Sequence, residues 1–140
     1  PRPLLARFDQ PQPLVMGILN ITPDSFSDGG RHDAPDAAIT AAHAMHASGA
    51  AIIDVGAEST RPGAPELPLP QELARLAPLW AGLKGLPVSI DTRKAAVMAA
   101  ALNAGAMIVN DVSALGHDPA ALALVAQRGC RVILMHHQGT

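Results

Sequence analysis

Cys130 is the only cysteine in 140 residues, so no intrachain disulfide can form, which suits a reducing cytoplasm. It stands just before an apolar run and reads as a buried, inert thiol. Basic residues are few: Lys and Arg number 10 against 12 Asp and Glu, for a formal net charge of −2. That balance supplies no footprint for nucleic acid or for an anionic membrane surface. It leaves a small anionic substrate open, because such a ligand needs only a local site. The longest early apolar run, Leu14–Leu19, falls far short of a membrane span. No charged segment followed by an apolar signal core opens the chain. Also absent are a glycine-rich dinucleotide fingerprint, a serine-histidine-acid order and paired-cysteine zinc spacing.

What is present is apolar and repetitive. Apolar residues make up 49 % of the chain and charged residues 16 %, a composition that forms a core rather than a disordered segment. The length fits one domain or part of one. Apolar runs recur at Leu14–Leu19, Ala51–Val55, Pro87–Ile90, Met107–Val109 and Arg131–Met135. Each is short and lacks alternation, as strands buried on both faces of a parallel sheet do. Helical stretches are expected between them: Asp36–Ser48 stopped by Gly49, and Gln71–Leu83 after Pro70. Two more are expected at Arg93–Ala104 after a Thr92 cap, and at Pro119–Arg128 after an Asp118 cap. The order is β-α-β-α-β-α-β-α-β, an α/β fold with right-handed crossovers.

All five expected strands finish on polar groups: Asn20, Asp54, Asp91, Asn110-Asp111 and His136-His137. A doubly wound sheet concentrates ligand contacts at one switch point, whereas every strand of a (β/α)₈ TIM barrel ends at the same mouth. The pattern favours the barrel. Such barrels take roughly 250 residues. Residues 1–140 therefore read as the N-terminal portion of one barrel domain, with about the first five strands and four helices. An open half would leave parallel edges bare, so the remainder is expected to exist.

Candidate chemistry lies at these ends. Loop one, Ile21 to about Ala34, is long and turn-rich and carries Asp24 and Asp28. Asn20 at its start could ligate a hard cation such as Mg²⁺, or could simply hydrogen-bond the loop backbone. Loop two, Gly56–Ala64, holds Glu58, Ser59, Thr60 and Arg61 before a Pro62-Gly63 turn. Arg61 could pair with a substrate carboxylate or phosphate, or could bridge to Glu58 or be solvated. Asp91 could accept two hydrogen bonds from an amidine-like edge of a 2-amino-4-oxo heterocycle, or could cap the helix that follows. Asn110 and Asp111 could complete recognition of that ring, or could cap the loop. Adjacent strand residues His136 and His137 point to opposite faces, which argues against a two-histidine metal site. His43 and His46 read as surface residues on a helix, and Trp80 as helix-to-barrel packing.

These blocks are also similar to a known family. MGILNITPDSFSDGG at Met16–Gly30 resembles the first signature of the dihydropteroate synthases, and DVGAESTRPGA at Asp54–Ala64 resembles the second. SIDTRK (Ser89–Lys94), IVNDVSAL (Ile108–Leu115) and ILMHHQGT (Ile133–Thr140) match later blocks in order. The resemblance implies a (β/α)₈ barrel that joins 6-hydroxymethyl-7,8-dihydropterin diphosphate to 4-aminobenzoate. The products would be 7,8-dihydropteroate and diphosphate, in folate synthesis. By resemblance Asn20 would hold Mg²⁺ on the diphosphate, and Asp28 would stabilise the developing pterin cation. Phe26, Thr60, Arg61 and Pro62 would shape the aminobenzoate side. Asp91 and Asn110 would hydrogen-bond the pterin, with Met135 as an apolar wall.

The chain departs from the family pattern at Ala57, where glycine is common, and at His137, where methionine is usual. The family's later aspartate, strand-seven lysine, and strand-eight arginine and histidine have no counterpart up to Thr140. An isolated 1–140 polypeptide is therefore expected to be inactive. Family members are often dimers, and a homodimer in the cytoplasm is expected, with small-molecule partners and neither nucleic acid nor membrane. A pterin-binding methyltransferase domain and a non-catalytic paralogue are the alternatives. The TPDSFSDGG and ESTRPG blocks argue against the methyltransferase, and intact Asn20, Asp28, Thr60, Arg61, Asp91 and Asn110 against the paralogue.

Overall fold

The computed structural model describes residues 13–21, 34–58 and 63–134. Five strands alternate with helical segments: β1 Met16–Asn20, α1 Ala34–Ala47, β2 Ile52–Gly56, α2 Leu69–Leu76 and α3 Trp80–Leu83. They continue with β3 Val88–Asp91, α4 Ala95–Asn103, β4 Ile108–Asp111, α5 Ala121–Arg128 and β5 Arg131–Leu134. The strands form one sheet in sequential order, and every neighbouring pair is parallel. Among the described strands the order never reverses, so they form no switch point of the doubly wound kind. This is the winding of a (β/α)₈ barrel wall, as the strand-end pattern predicted.

Strands β1 to β4 run one or two residues further toward their C-termini than the apolar runs suggested, because the next residues join the ladder. Asn20 pairs with Gly56, Gly56 with Asp91, and Asp91 with Asn110. One expectation is corrected. Asp54 does not end its strand; it lies in the middle of β2, because Val55 and Gly56 extend the pairing.

The helical arm between β2 and β3 is expected as one helix and is found in two α-helical pieces. A 3₁₀ turn, Ala77–Leu79, interrupts it at Pro78. Proline lacks the amide that would reach back to residue 74, and its ring crowds that carbonyl. Gly82 in α3 lets α1 lie close. A Cβ there would fall 2.5 Å from the Ile39 Cδ1 atom, and His43 Nε2 bonds the Gly82 carbonyl at 2.8 Å. His43 and His46 are both exposed, and His46 bonds the Ala50 carbonyl, so each serves packing of α1 as a surface residue. Trp80 packs at the margin of the core, as expected.

The helix starts also differ from the capping reading. Thr92 does not cap α4. Its hydroxyl donates to Glu72 and accepts the Lys94 amide, and α4 begins at Ala95 with no side-chain bond from its own N-cap. The Ala95 amide is taken instead by Asp118 Oδ2, 23 residues along the chain, at 2.7 Å. Asp118 Oδ1 takes the Ala120 amide at 2.9 Å in an Asx turn, so α5 starts at Ala121 rather than at Pro119. Cys130 is half-buried rather than fully buried, and burial pushes its thiol pKa up. Among the described residues, no helix is long and apolar enough to cross a membrane.

Candidate active site

Strand alternation sends successive side chains to opposite faces of the sheet. Ile53, Val55, Ile90 and Val109 are fully buried and pack with Val97 and Met98 of α4 in the main core. On the opposite face the register lines up two rows. Ile18, Asp54, Ser89 and Ile108 form one, and Asn20, Gly56, Asp91 and Asn110 the next, nearer the strand C-termini. The functional candidates on described strands therefore meet on one surface because of their even spacing along the strands.

Asp54 organises this surface. It is 2 % exposed and accepts bonds from the Ser89 hydroxyl and from Asn110 Nδ2, which lies 3.2 Å from each carboxylate oxygen. With its NH₂ group engaged by Asp54, Asn110 keeps its side-chain oxygen as an acceptor. Asp91 lies alongside and is partly exposed. Burial, and then the neighbouring Asp54 carboxylate, push its pKa up to about 7, with smaller contributions from Asp111 and Glu72. Asp91 is thus poised between its charged and neutral forms near neutral pH. Gly56 makes room for it: a Cβ at Gly56 would lie 3.1 Å from the Asp91 Cβ and 3.2 Å from its carbonyl oxygen. A neutral Asn110 oxygen beside an Asp91 carboxyl suits a planar heterocycle rich in N–H donors.

The Asn110-Asp111 pair divides its roles. Asn110 faces the site. Asp111 is fully buried and accepts the Ser113 amide and hydroxyl at 2.8 and 2.7 Å and the Leu115 amide at 3.2 Å. These bonds hold a turn in which Ala114 and Leu115 both have positive φ, at 53° and 66°. Such backbone persists where the surroundings over-determine it.

Asn20 is exposed at the end of β1, and no described donor or acceptor occupies its amide group. Among the described residues no cluster of three or more His, Cys, Asp or Glu could hold a metal by itself. A single amide oxygen at a strand end could serve a Mg²⁺ that keeps its waters and takes substrate phosphates. Glu58, named as a partner open to Arg61, holds Arg93, Lys94 and the Leu67 amide. Phe26, Asp28, Thr60, Arg61, Pro62, Met135, His136 and His137 lie outside the described residues.

Sequence reasoning missed the part played by Asp54 and Ser89. For Ser89 the signal was available: it sits two residues before the polar strand end Asp91 and so shares its face.

The profile of the pterin binding enzymes matches residues 16–140. The chain is 53 % identical over 124 residues to the dihydropteroate synthase of Mycobacterium leprae, an alignment covering 87 % of this chain and 44 % of that protein. It is 46 % identical over 128 residues to the Bacillus subtilis dihydropteroate synthase, covering 89 % of this chain and 45 % of that one. The solved dihydropteroate synthase of Xanthomonas albilineans with 4-aminobenzoic acid superposes with a TM-score of 0.83 at 48 % identity. That superposition covers 92 % of this chain and 48 % of the other. The chain thus spans about half the length of these relatives. With the profile, the ordered motifs and the superposed sheet in agreement, the chain belongs to the pterin-binding enzyme family.

Proposed function

We propose that this chain supplies the N-terminal wall of a dihydropteroate synthase active site. The reaction would condense 6-hydroxymethyl-7,8-dihydropterin diphosphate with 4-aminobenzoate to give 7,8-dihydropteroate and diphosphate. The observation that carries the reading is the Asp54–Ser89–Asp91–Asn110 cluster on one face of the strand ends. Asp91 and Asn110 would present acceptors to the pterin N–H groups, and Asp54 with Ser89 would hold them in place. A pterin edge that donates to Asp91 favours its carboxylate, so binding would draw off the proton that Asp54 helps to retain.

The bond from the pterin methylene to the diphosphate oxygen would break with its electron pair leaving on the diphosphate. The arylamine nitrogen would then attack the cationic carbon, and its proton would be lost to solvent or to the departing diphosphate. Asn20 would hold Mg²⁺, which supplies charge neutralisation to the leaving group when bound. Asp28 would stabilise the cationic carbon electrostatically. Phe26, Thr60, Arg61 and Pro62 would shape the aminobenzoate side, and Met135 would wall the pterin. Excluding water would protect the cation from hydrolysis. No covalent enzyme intermediate is needed.

The test is dihydropteroate formation by the full-length protein from the two purified substrates. Turnover that requires both substrates is the expected result. Methyl transfer from a reduced folate without condensation would sink the reading in favour of a methyltransferase domain.

A further inference from the structure

The turn after β4 carries a cost that the chemistry above leaves unexplained. Ala114 and Leu115 are consecutive left-handed residues, and neither is glycine. That region crowds Cβ against the following carbonyl, a strain that glycine escapes. Gly116 comes one residue too late to relieve it.

The strain is held from two sides. The fully buried Asp111 carboxylate accepts the Ser113 amide and hydroxyl on one oxygen and the Leu115 amide on the other. Its own carbonyl takes the Ala114 amide at 3.1 Å. The Ser113 hydroxyl in turn accepts the His117 amide at 3.1 Å. Neighbouring amides thus curl around one carboxylate, an anion-binding nest whose anion is the chain's own. From the other side, the Leu115 side chain packs against the main core. Burying a carboxylate is costly even when it is hydrogen-bonded, and an ordinary turn needs neither that charge nor left-handed Ala and Leu. Strain of this kind persists where something depends on it.

What precedes the turn is Asn110. Its carbonyl accepts the Thr92 amide at 3.1 Å, which ties the ends of β3 and β4 together. Its side-chain NH₂ donates to both Asp54 oxygens. The Asp111 turn fixes the chain immediately on its C-terminal side. We infer that Asp111 is a positioning residue: its carboxylate holds the strained 113–115 turn, which locks Asn110 against Asp54 and so sets the affinity for the planar heterocycle. The affinity rests on the reading of Asp91 and Asn110 as acceptors for that ring. The turn itself is geometric.

The experiment uses the full-length protein. Ala114→Gly relieves strain without removing a hydrogen bond. It should lower the unfolding equilibrium constant by about two- to threefold, yet raise the KM for the pterin diphosphate by about threefold. A turn with only a structural role would give the first change without the second, and that result would overturn the inference. Asp111→Asn keeps the size but loses the charge. The pterin diphosphate KM should rise about tenfold, the scale of one lost charge-assisted hydrogen bond, with kcat and the 4-aminobenzoate KM within about twofold. Hydrogen exchange of the Asn110 side-chain NH₂, followed by nuclear magnetic resonance, should speed by about tenfold. Ser113→Ala loses only the hydroxyl bond. It should move the same quantities by roughly threefold and covers the case in which Asp111→Asn fails to fold. Equal rises in both KM values, or an unchanged Asn110 exchange rate, would also overturn the inference. If the unsubstituted protein makes no dihydropteroate, the synthase reading fails and the affinity falls with it. Asn110 exchange in the variants still decides whether the turn holds that residue.

Discussion

The two faces of the sheet are built from alternate residues of the same strands and could hardly differ more. Toward the helices lie Ile53, Val55, Ile90 and Val109, each fully buried and packed in one apolar cluster. On the other face, one residue away along each strand, lie Asp54, Ser89, Asp91 and Asn110, joined by hydrogen bonds and mutual charge. Stability is concentrated on the first face and recognition on the second. A shift of one residue in register would exchange them, which is why the parallel pairing is so strongly specified.

The comparison is tested most severely at neighbouring positions 53 and 54. Ile53→Ala on the helix side should cost about 3–4 kcal/mol of unfolding free energy, the usual penalty for an unrelaxed core cavity. Asp54→Asn should cost far less stability, yet should weaken binding of a pterin analogue by about tenfold or more through loss of the acceptor that holds Asn110. Urea unfolding and calorimetric titration of the full-length protein measure the two quantities. If Ile53→Ala spares stability while weakening binding, the division between faces is wrong.

Asp91 sharpens the point through pH. Its folded pKa is raised to about 7, above the ordinary aspartate value, so its contribution favours folding at low pH. Stability from this group is fully present below about pH 4 and is lost as pH rises through 7, because in that window the folded state holds the extra proton. Asp91→Asn should remove this loss. The variant should be more stable than the parent by about 1–2 kcal/mol at pH 8, after discounting for partial exposure, and should show no gain at pH 4. The same variant should bind pterin more weakly. Equal stability differences at both pH values would mean that Asp91 is not the group that titrates.

Gly56 should give a smaller effect with the same polarity. Alanine there meets the Asp91 side chain and carbonyl at just over 3 Å, so the site must give by a few tenths of an ångström. Gly56→Ala is expected to weaken pterin binding by about three- to tenfold and to cost about 1 kcal/mol of stability, as mild overpacking does. Binding that tightens would show that the glycine is not there to make room for Asp91.

Much of this was legible in the sequence. Five short apolar runs, each closed by a polar group, announced parallel strands with chemistry at one end, and sequential pairing followed from the crossovers. Asp91 and Asn110 were nameable because they stand at those ends. Asp54 was assigned to an end as the polar residue of its run, with Gly56 opening the loop; the ladder to β1 and β3 carries the strand on through Gly56. The role of Glu58 was not legible, because its partners Leu67, Arg93 and Lys94 are 9, 35 and 36 residues away. Local patterns report period and caps, whereas a buried charge finds its partner only after the chain has folded.

The two faces meet at the rim, and the smallest expected effect lies there. Thr92 has the sequence signature of a cap for α4, yet Asp118 performs that task from the segment before α5. The two nearest explanations make different predictions. If Asp118 is a local turn residue only, Asp118→Ala should loosen α5 alone. If it also anchors α4, the Ala95 amide should lose protection as well, although it is 23 residues distant. The expected cost is about 1 kcal/mol, the ordinary value for removing a side-chain cap. Its acid form sharpens the test. The Ala95 and Ala120 amides hold the Asp118 pKa below the usual carboxylate range, so its stabilisation is present above the unfolded value and fades as pH falls through the lowered one. Amide exchange at Ala95 and Ala120 in the parent and in Asp118→Ala, compared near neutral pH, separates the explanations. Loss of protection at Ala120 with none at Ala95 would leave α4 capped by something other than Asp118.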